Sequence, residues 1–252
     1  MSNSISCITG IGTVNPLGAN IEEFFSNLFV GKSGLTDVRN IEIDTGNLSY
    51  VGCISKDFTK ILNKRVVKQS DRFIHLALVA TKEAIENRSS KIEYAPLKKG
   101  IFFGNNSGGW DICEKGFFEF FTKSPKLVNP YQATAWFPTA PQGFTSIVYN
   151  FKGYSKSFVA DRLSCAQSLY FANKNIKKGK NDLIVCGGVE APITTFGLQC
   201  YYGVGNLSEL KDREKVYLPF SNTKDNGLVL GEGSSILTLE NSENTEKKDI
   251  YA

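Results

Sequence analysis

Short apolar runs rich in β-branched residues alternate along this chain with stretches of helical periodicity. The clearest helical stretch is DRFIHLALVATKEAIEN, residues 71–87, in which apolar side chains recur every three or four positions. NIEEFFSNLFVG has the same periodicity behind an asparagine cap at Asn20, and DICEKGFFEFFTKS follows a glycine turn. FVADRLSCAQSLYFANKNIKKG reads as a strand, a tight junction and a helix. These segments predict four amphipathic helices.

The apolar runs predict the strands between these helices. SISCITGIGTVNP, KKGIFFGNNSGG and NDLIVCGGVEAP are buried strands closed by glycine or proline, and NGLVLGEGSSILTLEN predicts two strands that meet at its glycines. Strands that alternate with helices favour a layered α/β domain with a largely parallel central sheet. We expect one domain over residues 1–240 and a loosely held polar tail over residues 241–252.

Composition is that of an ordinary globular protein, with 41% hydrophobic and 21% charged residues and 23 glycines in 252 residues. No apolar run approaches the roughly 20 residues of a membrane-spanning helix. The N-terminal sequence MSNSISCITGIG has no basic region followed by an apolar core, so it does not resemble a secretory signal. We therefore expect a cytoplasmic protein that does not act at a membrane.

The formal net charge is +4, and much of the lysine lies in IEYAPLKKG, NIKKGKND and ELKDREK. A nucleic-acid-binding protein usually has a more continuous basic surface interleaved with aromatic residues, so no nucleic-acid partner is expected. These clusters fit solvated helix ends and loops, or a docking surface for an acidic protein.

The six cysteines are scattered without a CxxC pair, which favours free thiols in a reducing compartment. The single histidine, His75, lies in the amphipathic helix and is interpreted as a structural residue. Neither a metal site nor a cofactor is expected.

Several segments, in this order, resemble the N-terminal half of a β-ketoacyl synthase. ITGIGTVNPLG resembles the opening strand and turn of that family, and FGNNSGGW resembles the glycine turn beside its acyl pocket. IKKGKNDLIVCGGVEAP is similar to the strand after the nucleophile, and LPFSNTKDNGLVLGEG to the segment that ends the half. The resemblance implies a thiolase-like fold, its N-terminal half only, with a mixed, largely parallel central sheet.

Counting back from CGGVEAP places the family's catalytic cysteine at Arg162, within VADRLSCAQS. A guanidinium stays protonated and is neither a nucleophile nor a base at neutral pH. Cys165 lies three residues further on, nearly a full helical turn away, and loses the helix-start environment that favours a thiolate. The negative charge of Asp161 is one way to offset the unfavourable interaction of the Arg162 cation with the helix dipole. The resemblance therefore implies a lost nucleophile, blocked by Arg162.

The chain is most similar to the chain-length factors of type II polyketide synthases, ketosynthase-like subunits that lack the cysteine. Those proteins typically have an acidic residue followed by glutamine at this point; here Asp161 keeps the acidic residue and Arg162 departs from the pattern. The family's catalytic histidines come from a C-terminal half that is expected to begin where this sequence ends. In length the chain resembles the shortened ketosynthase-like proteins of bacterial aryl polyene gene clusters.

This resemblance implies an active β-ketoacyl synthase as heterodimer partner and an acyl carrier protein reached through the complex. The strand before the junction is expected to pair with its counterpart in the partner, and it comprises Lys156, Ser157, Phe158, Val159 and Ala160. The end of the partner's acyl tunnel is expected to be lined by Ser107, Trp110, Cys113, Glu114, Phe117, Tyr131, Gln132 and Trp136. Two alternatives stay open: a reduced thiolase-like acyltransferase that uses Cys165, and a free-standing acyl-binding regulatory protein.

Overall fold

The computed structural model describes residues 5–221, 227–245 and 251. The strands are β1 Ser6–Val14, β2 Thr36–Asp37, β3 Tyr50–Val51, β4 Lys99–Gly104, β5 Lys156–Phe158, β6 Leu183–Glu190 and β7 Gly233–Asn241. The helices are α1 Ile21–Phe29, α2 Lys64–Gln69, α3 Arg72–Glu86, α4 Trp110–Thr122, α5 Gln132–Ala135, α6 Ala140–Tyr149, α7 Ser164–Lys177 and α8 Thr195–Tyr202.

Within the described ranges, five strands form one mixed sheet in the order β1-β7-β6-β4-β5. β7 pairs antiparallel with β1 and β6, whereas β4 pairs parallel with β6 and β5. A separate two-stranded sheet joins β2 and β3. The predicted α/β fold with a mixed central sheet is confirmed, and β1 and β5 form its two edges.

Alternate residues of the central strands enter the cores on opposite faces of the sheet. On one face Ile101 and Phe103 of β4 pack in a cluster with the apolar side of α3. On the other face Phe102 packs with Ala172 and Ile176 of α7. The sheet therefore lies between two helical layers, and the parallel strands end on the side where the functional residues are expected.

The helix predictions hold in detail. Asn20 accepts a hydrogen bond from the Glu23 backbone N–H at 2.8 Å and caps α1, and Asp71 caps α3 through the Phe73 N–H at 3.1 Å. α7 begins at Ser164, directly after the junction. The strands predicted over residues 4–16, 98–109 and 181–192 are present as β1, β4 and β6.

The prediction of two C-terminal strands is wrong in part. The second is β7, but its predecessor makes only isolated bridges, Leu228 to Leu207 and Gly231 to Gly52. Glu232, next in the chain, is buried in an ion pair with Arg72 at 2.7 Å, which directs the segment toward the start of α3 instead of along the sheet. Most of the predicted polar tail, residues 246–250 and 252, lies outside the described residues.

Candidate functional site

The β5–α7 junction is a tight turn held by a serine. Asp161 has a left-handed backbone with φ of +49°, which is strained for a residue other than glycine. Ser164 Oγ accepts the Ala160 N–H and donates to the Asp161 carbonyl, both at 2.8 Å. A short 3-10 helix, Asp161–Leu163, then leads into α7. The chain thus keeps a strand–turn–helix geometry at the position predicted for the lost nucleophile.

Arg162 occupies this turn as an exposed side chain. Among the residues that the structure describes, no hydrogen bond or ion pair to its guanidinium is present. Arg162 is not among the residues that line the cavity described below. Arg162 therefore gives the junction a fixed positive charge at the surface.

Cys165 lies in the first turn of α7, against the end of β6. The prediction that it lies nearly a full turn inside the helix, away from the helix start, is wrong, because α7 begins at Ser164 and Arg162 lies in the 3-10 turn before it. A Cβ atom added at Gly188 would lie 3.3 Å from the Cys165 sulfur, so the two chain segments are in close contact. Burial raises the pKa of the Cys165 thiol, and a hydrogen bond with Ser168 lowers it only in part. No described hydrogen bond joins this thiol to a basic side chain. These features disfavour a thiolate at neutral pH.

His75 is a buried core residue. It is buried in α3, with Nε2 3.0 Å from Ser70 Oγ, and burial lowers its pKa to about 4. A neutral, buried imidazole in the core matches the structural role predicted from the sequence.

An apolar cavity of about 420 Å³ opens beyond the carboxyl end of β4. Phe196, at the start of α8, packs against two rings of α4: Trp110 at a centroid distance of 5.2 Å and Phe117 at 5.5 Å. Trp136 stacks on Phe137 at 4.8 Å at another side of the cavity. The lining residues are Ser107, Gly109, Trp110, Cys113, Phe117, Gln132, Trp136 and Phe196.

Six of the eight residues predicted for the tunnel end line this cavity together, and Glu114 and Tyr131 do not. The Glu114 carboxylate accepts the Phe196 N–H of α8 at 2.6 Å. Tyr131 packs against the main core and accepts a hydrogen bond from Gln69 Nε2 at 2.6 Å. Burial raises the pKa of Cys113, the thiol in the cavity wall.

Sequence reasoning missed the contribution of α8 and of two carboxylates, the half-buried Glu190 and the buried Asp71. Tyr201 of α8 is hydrogen-bonded to Ser107 at 2.7 Å, hydroxyl to hydroxyl. Glu190, at the end of β6, accepts the backbone N–H groups of Asn106 and Ser107, and burial raises its pKa. The aromatic residues of TFGLQCYY were the available signal for α8.

Asp71 is the second of these carboxylates and links two helices. It is only 1% exposed, and while one oxygen caps α3, the other accepts the Ile112 N–H of α4 at 2.7 Å. Burial raises the pKa of Asp71 to about 7, although both backbone hydrogen bonds lower it. The start of α4, and with it the aromatic wall of the cavity, is thereby fixed to the core.

β5 pairs with β4 and has no described strand on its other side. Of its predicted docking residues, Phe158 is buried, Ser157 and Ala160 are half-buried, and Lys156 and Val159 are exposed. Val159 is 54% exposed and Leu163, beyond the turn, is 61% exposed. An unpaired strand edge bordered by exposed apolar side chains is suited to pairing with another chain.

The described residues contain no group of three or more histidine, cysteine, aspartate or glutamate side chains arranged to hold a metal ion. Among the helices of these same residues, none combines the length and the apolar character that a bilayer-spanning segment needs.

Comparison with known proteins gives a consistent result. Residues 6–245 match the family described as beta-ketoacyl synthase, N-terminal domain. The chain is 30% identical over 244 residues to the actinorhodin polyketide putative beta-ketoacyl synthase 2 of Streptomyces coelicolor, covering 96% of the chain and 59% of that protein. It is 28% identical over 249 residues to a 3-oxoacyl-[acyl-carrier-protein] synthase 2 of Staphylococcus aureus, covering 97% of the chain and 62% of that protein.

A solved structure shows the same fold at lower identity. It is a ketosynthase in complex with its chain length factor from Xenorhabdus doucetiae, matched with a TM-score of 0.79 and 17% identity over 94% of the chain and 58% of the matched chain. The chain therefore spans about three fifths of the length of the relatives it matches.

Proposed function

Because this chain belongs to the family of the β-ketoacyl synthase N-terminal domain, we propose that it is a non-catalytic subunit of the chain-length-factor type. It pairs with an active β-ketoacyl synthase and forms the closed end of that enzyme's acyl tunnel. Arg162 at the β5–α7 junction is the observation that carries this proposal. The partner, the substrates and the activity of the whole complex are part of the proposal, since the chain spans only part of its relatives' length.

Arg162 cannot act as the nucleophile in acyl transfer. A ketosynthase takes its acyl group from a carrier thioester when a cysteine thiolate attacks the carbonyl carbon, which releases the carrier thiol. A guanidinium has no lone pair available for this attack. Cys165, the nearest alternative, has a pKa raised by burial and no described basic partner. The exposure of Cys165 does favour one second candidate, an acyltransferase that uses this thiol.

The free edge of β5 supports the pairing. An antiparallel strand from a partner would extend the five-stranded sheet, and Val159 and Leu163 would lose their contact with water. Burial of exposed apolar surface stabilises such a contact by about 25 cal/mol per Å² before the costs of association are counted.

The aromatic cavity supports a role in chain length. Its rings are large and packed against one another, so a chain that grows beyond the available space must displace them at a cost of about 1–3 kcal/mol for each misfit. Elongation of a polyene chain on an acyl carrier protein, as in aryl polyene pigment formation, is the product class that the sequence resemblance supports.

Co-expression with an active β-ketoacyl synthase and an acyl carrier protein of the same organism tests the pairing. We expect both synthase-like chains to elute together in size-exclusion chromatography. Leu163→Glu should separate them, whereas Phe29→Glu should not, because Phe29 is 83% exposed on α1, beside the opposite sheet edge. Elution of the unaltered chain as a stable monomer in the presence of the synthase would support a free-standing protein and contradict the proposal.

A further inference from the structure

Glu114 does not line the cavity, unlike its α4 neighbours Trp110, Cys113 and Phe117. Its carboxylate accepts the backbone N–H of Phe196 at 2.6 Å, within the first turn of α8. The first N–H groups of a helix have no partner inside the helix, and a negative charge there is favourable to the helix dipole. Thr194 caps the same turn through the Gly197 N–H at 3.0 Å. Glu114 therefore supplies a second cap to α8 from a neighbouring helix.

The side chain of Phe196 is held by the same helix that holds its backbone. Trp110 and Phe117 precede and follow Glu114 by four and three positions, so all three lie along one side of α4. Their rings contact Phe196 on the cavity side, while the Glu114 carboxylate fixes the backbone behind it. Loss of the carboxylate would leave the start of α8 held to α4 by ring contacts, while Tyr201, further along α8, keeps its hydrogen bond to Ser107.

α4 itself has an independent anchor. Asp71 of the α3 cap accepts the Ile112 N–H, and Ile112 and Gly116 are buried against the core. When the link between Glu114 and Phe196 is broken, α8 is the element expected to move. The link therefore controls one wall of the cavity and leaves the opposite walls in place.

We propose that Glu114 is a positioning residue that sets the depth of the aromatic cavity by tying the start of α8 to α4. The expected effect of Glu114 on the length of the acyl product rests on the proposed function. The geometrical part, a cavity that opens when Glu114 is lost, does not depend on it.

Tryptophan fluorescence gives a direct readout, because the sequence has two tryptophans and both Trp110 and Trp136 line the cavity. Acrylamide quenching should increase about two-fold in Glu114→Ala under conditions where circular dichroism shows a folded chain. Glu114→Gln should stay near the unaltered protein, since its amide oxygen can still accept the N–H. Glu119→Ala removes a carboxylate from the same helix without touching α8, and should leave the quenching unchanged.

The product of the reconstituted complex gives the second readout. We expect Glu114→Ala to shift the chain-length distribution by at least one two-carbon unit, and Glu119→Ala to leave it unchanged. Increased quenching in Glu114→Ala with no change of product in any variant would support the inference and contradict the proposed function. Unchanged quenching in Glu114→Ala, or equal quenching in Glu114→Gln and Glu114→Ala, would overturn the inference. If Glu114→Ala does not fold, Phe196→Leu serves in its place, with the same increase expected and an unchanged value overturning the inference.

Discussion

At the scale of single residues, the β5–α7 junction is a strained turn that leads directly into a helix. The left-handed Asp161 and the two hydrogen bonds of Ser164 form a turn suited to presenting a side chain at a helix start. The side chain presented is Arg162, whose charge cannot be removed at neutral pH. Under the proposed function, this turn keeps the geometry of a ketosynthase junction and lacks its nucleophile.

Asp71 and His75, both buried at the start of α3, contribute to the free energy of unfolding with opposite dependence on pH. The pKa of Asp71 is raised to about 7 by burial, so between pH 4 and 7 the folded chain holds a proton that the unfolded chain has lost. Stability from this group falls as the pH rises through that range. The pKa of His75 is lowered to about 4, so the unfolded chain holds the extra proton between pH 4 and 6.5, and stability from this group rises with pH.

The two contributions should separate in single variants. Asp71→Asn should make the free energy of unfolding rise more steeply with pH between 4.5 and 6.5 than in the unaltered protein. His75→Gln should have the opposite effect and make the slope of this free energy against pH more negative than in the unaltered protein. Each difference in slope is expected to be on the order of 1 kcal/mol per pH unit, because one bound proton corresponds to about 1.4 kcal/mol per pH unit. Urea denaturation at three pH values measures both slopes, and parallel curves for all three proteins would contradict this assignment.

At the scale of elements, the position of α7 depends on a glycine in β4. A Cβ atom at Gly104 would lie 2.3 Å from the Ser164 carbonyl carbon and 2.5 Å from the Cys165 nitrogen. The absence of a side chain thus allows the start of α7 to approach the end of β4. The junction residues reach their positions only because of this contact.

Gly104→Ala should therefore displace the start of α7 and lower the free energy of unfolding by about 1–3 kcal/mol, as overpacking does. Gly143→Ala is the matched control, because Gly143 is exposed in α6 and an added Cβ meets no atom within 4 Å. That control should be neutral or stabilising by up to about 1 kcal/mol, since alanine favours a helix more than glycine does. Equal free energies of unfolding for the two variants, from chemical denaturation, would argue against the close packing of α7 on β4.

The sequence predicts elements better than it predicts which elements meet. The periodicity of residues 71–87 predicts α3 because an amphipathic stripe is a local property. The first of the two C-terminal strands fails because Glu232 turns the preceding segment toward Arg72, and a pairing 160 residues apart leaves no local signal. The role of Phe196 was missed for the same reason, since only the packed fold brings α8 to α4.

At the scale of the whole molecule, the parallel strands collect the candidate residues at one side. β4 and β6 end at Gly104 and Glu190, and the turn that follows β4 leads into the cavity wall. The resemblance placed six cavity residues in one group, yet it assigned Glu114 to the wall although this side chain lies behind it. Glu114 lies on the same side of α4 as two of these cavity residues, and its hydrogen bond to the Phe196 N–H, a contact between distant parts of the chain, sets it apart from them.

The sheet has two unlike edges. In β1, at one end of the sheet, the Thr9 carbonyl accepts the Ser89 N–H, and the Ile8 carbonyl accepts the Tyr251 N–H. β5, at the other end, has no described neighbour beyond β4 and is bordered by exposed apolar side chains. This asymmetry marks β5 as the edge suited to a partner and is the molecular basis of the proposed assembly.

The site of covalent acylation distinguishes a non-catalytic subunit from an acyltransferase. The purified complex with an active β-ketoacyl synthase is incubated with acyl-loaded carrier protein, and each chain is then weighed by intact-mass spectrometry. We expect an acyl adduct on the partner synthase and none on this chain, with the same result for Cys165→Ala. An acyl adduct on this chain that disappears in Cys165→Ala, together with loss of product, would contradict the account and identify Cys165 as a nucleophile.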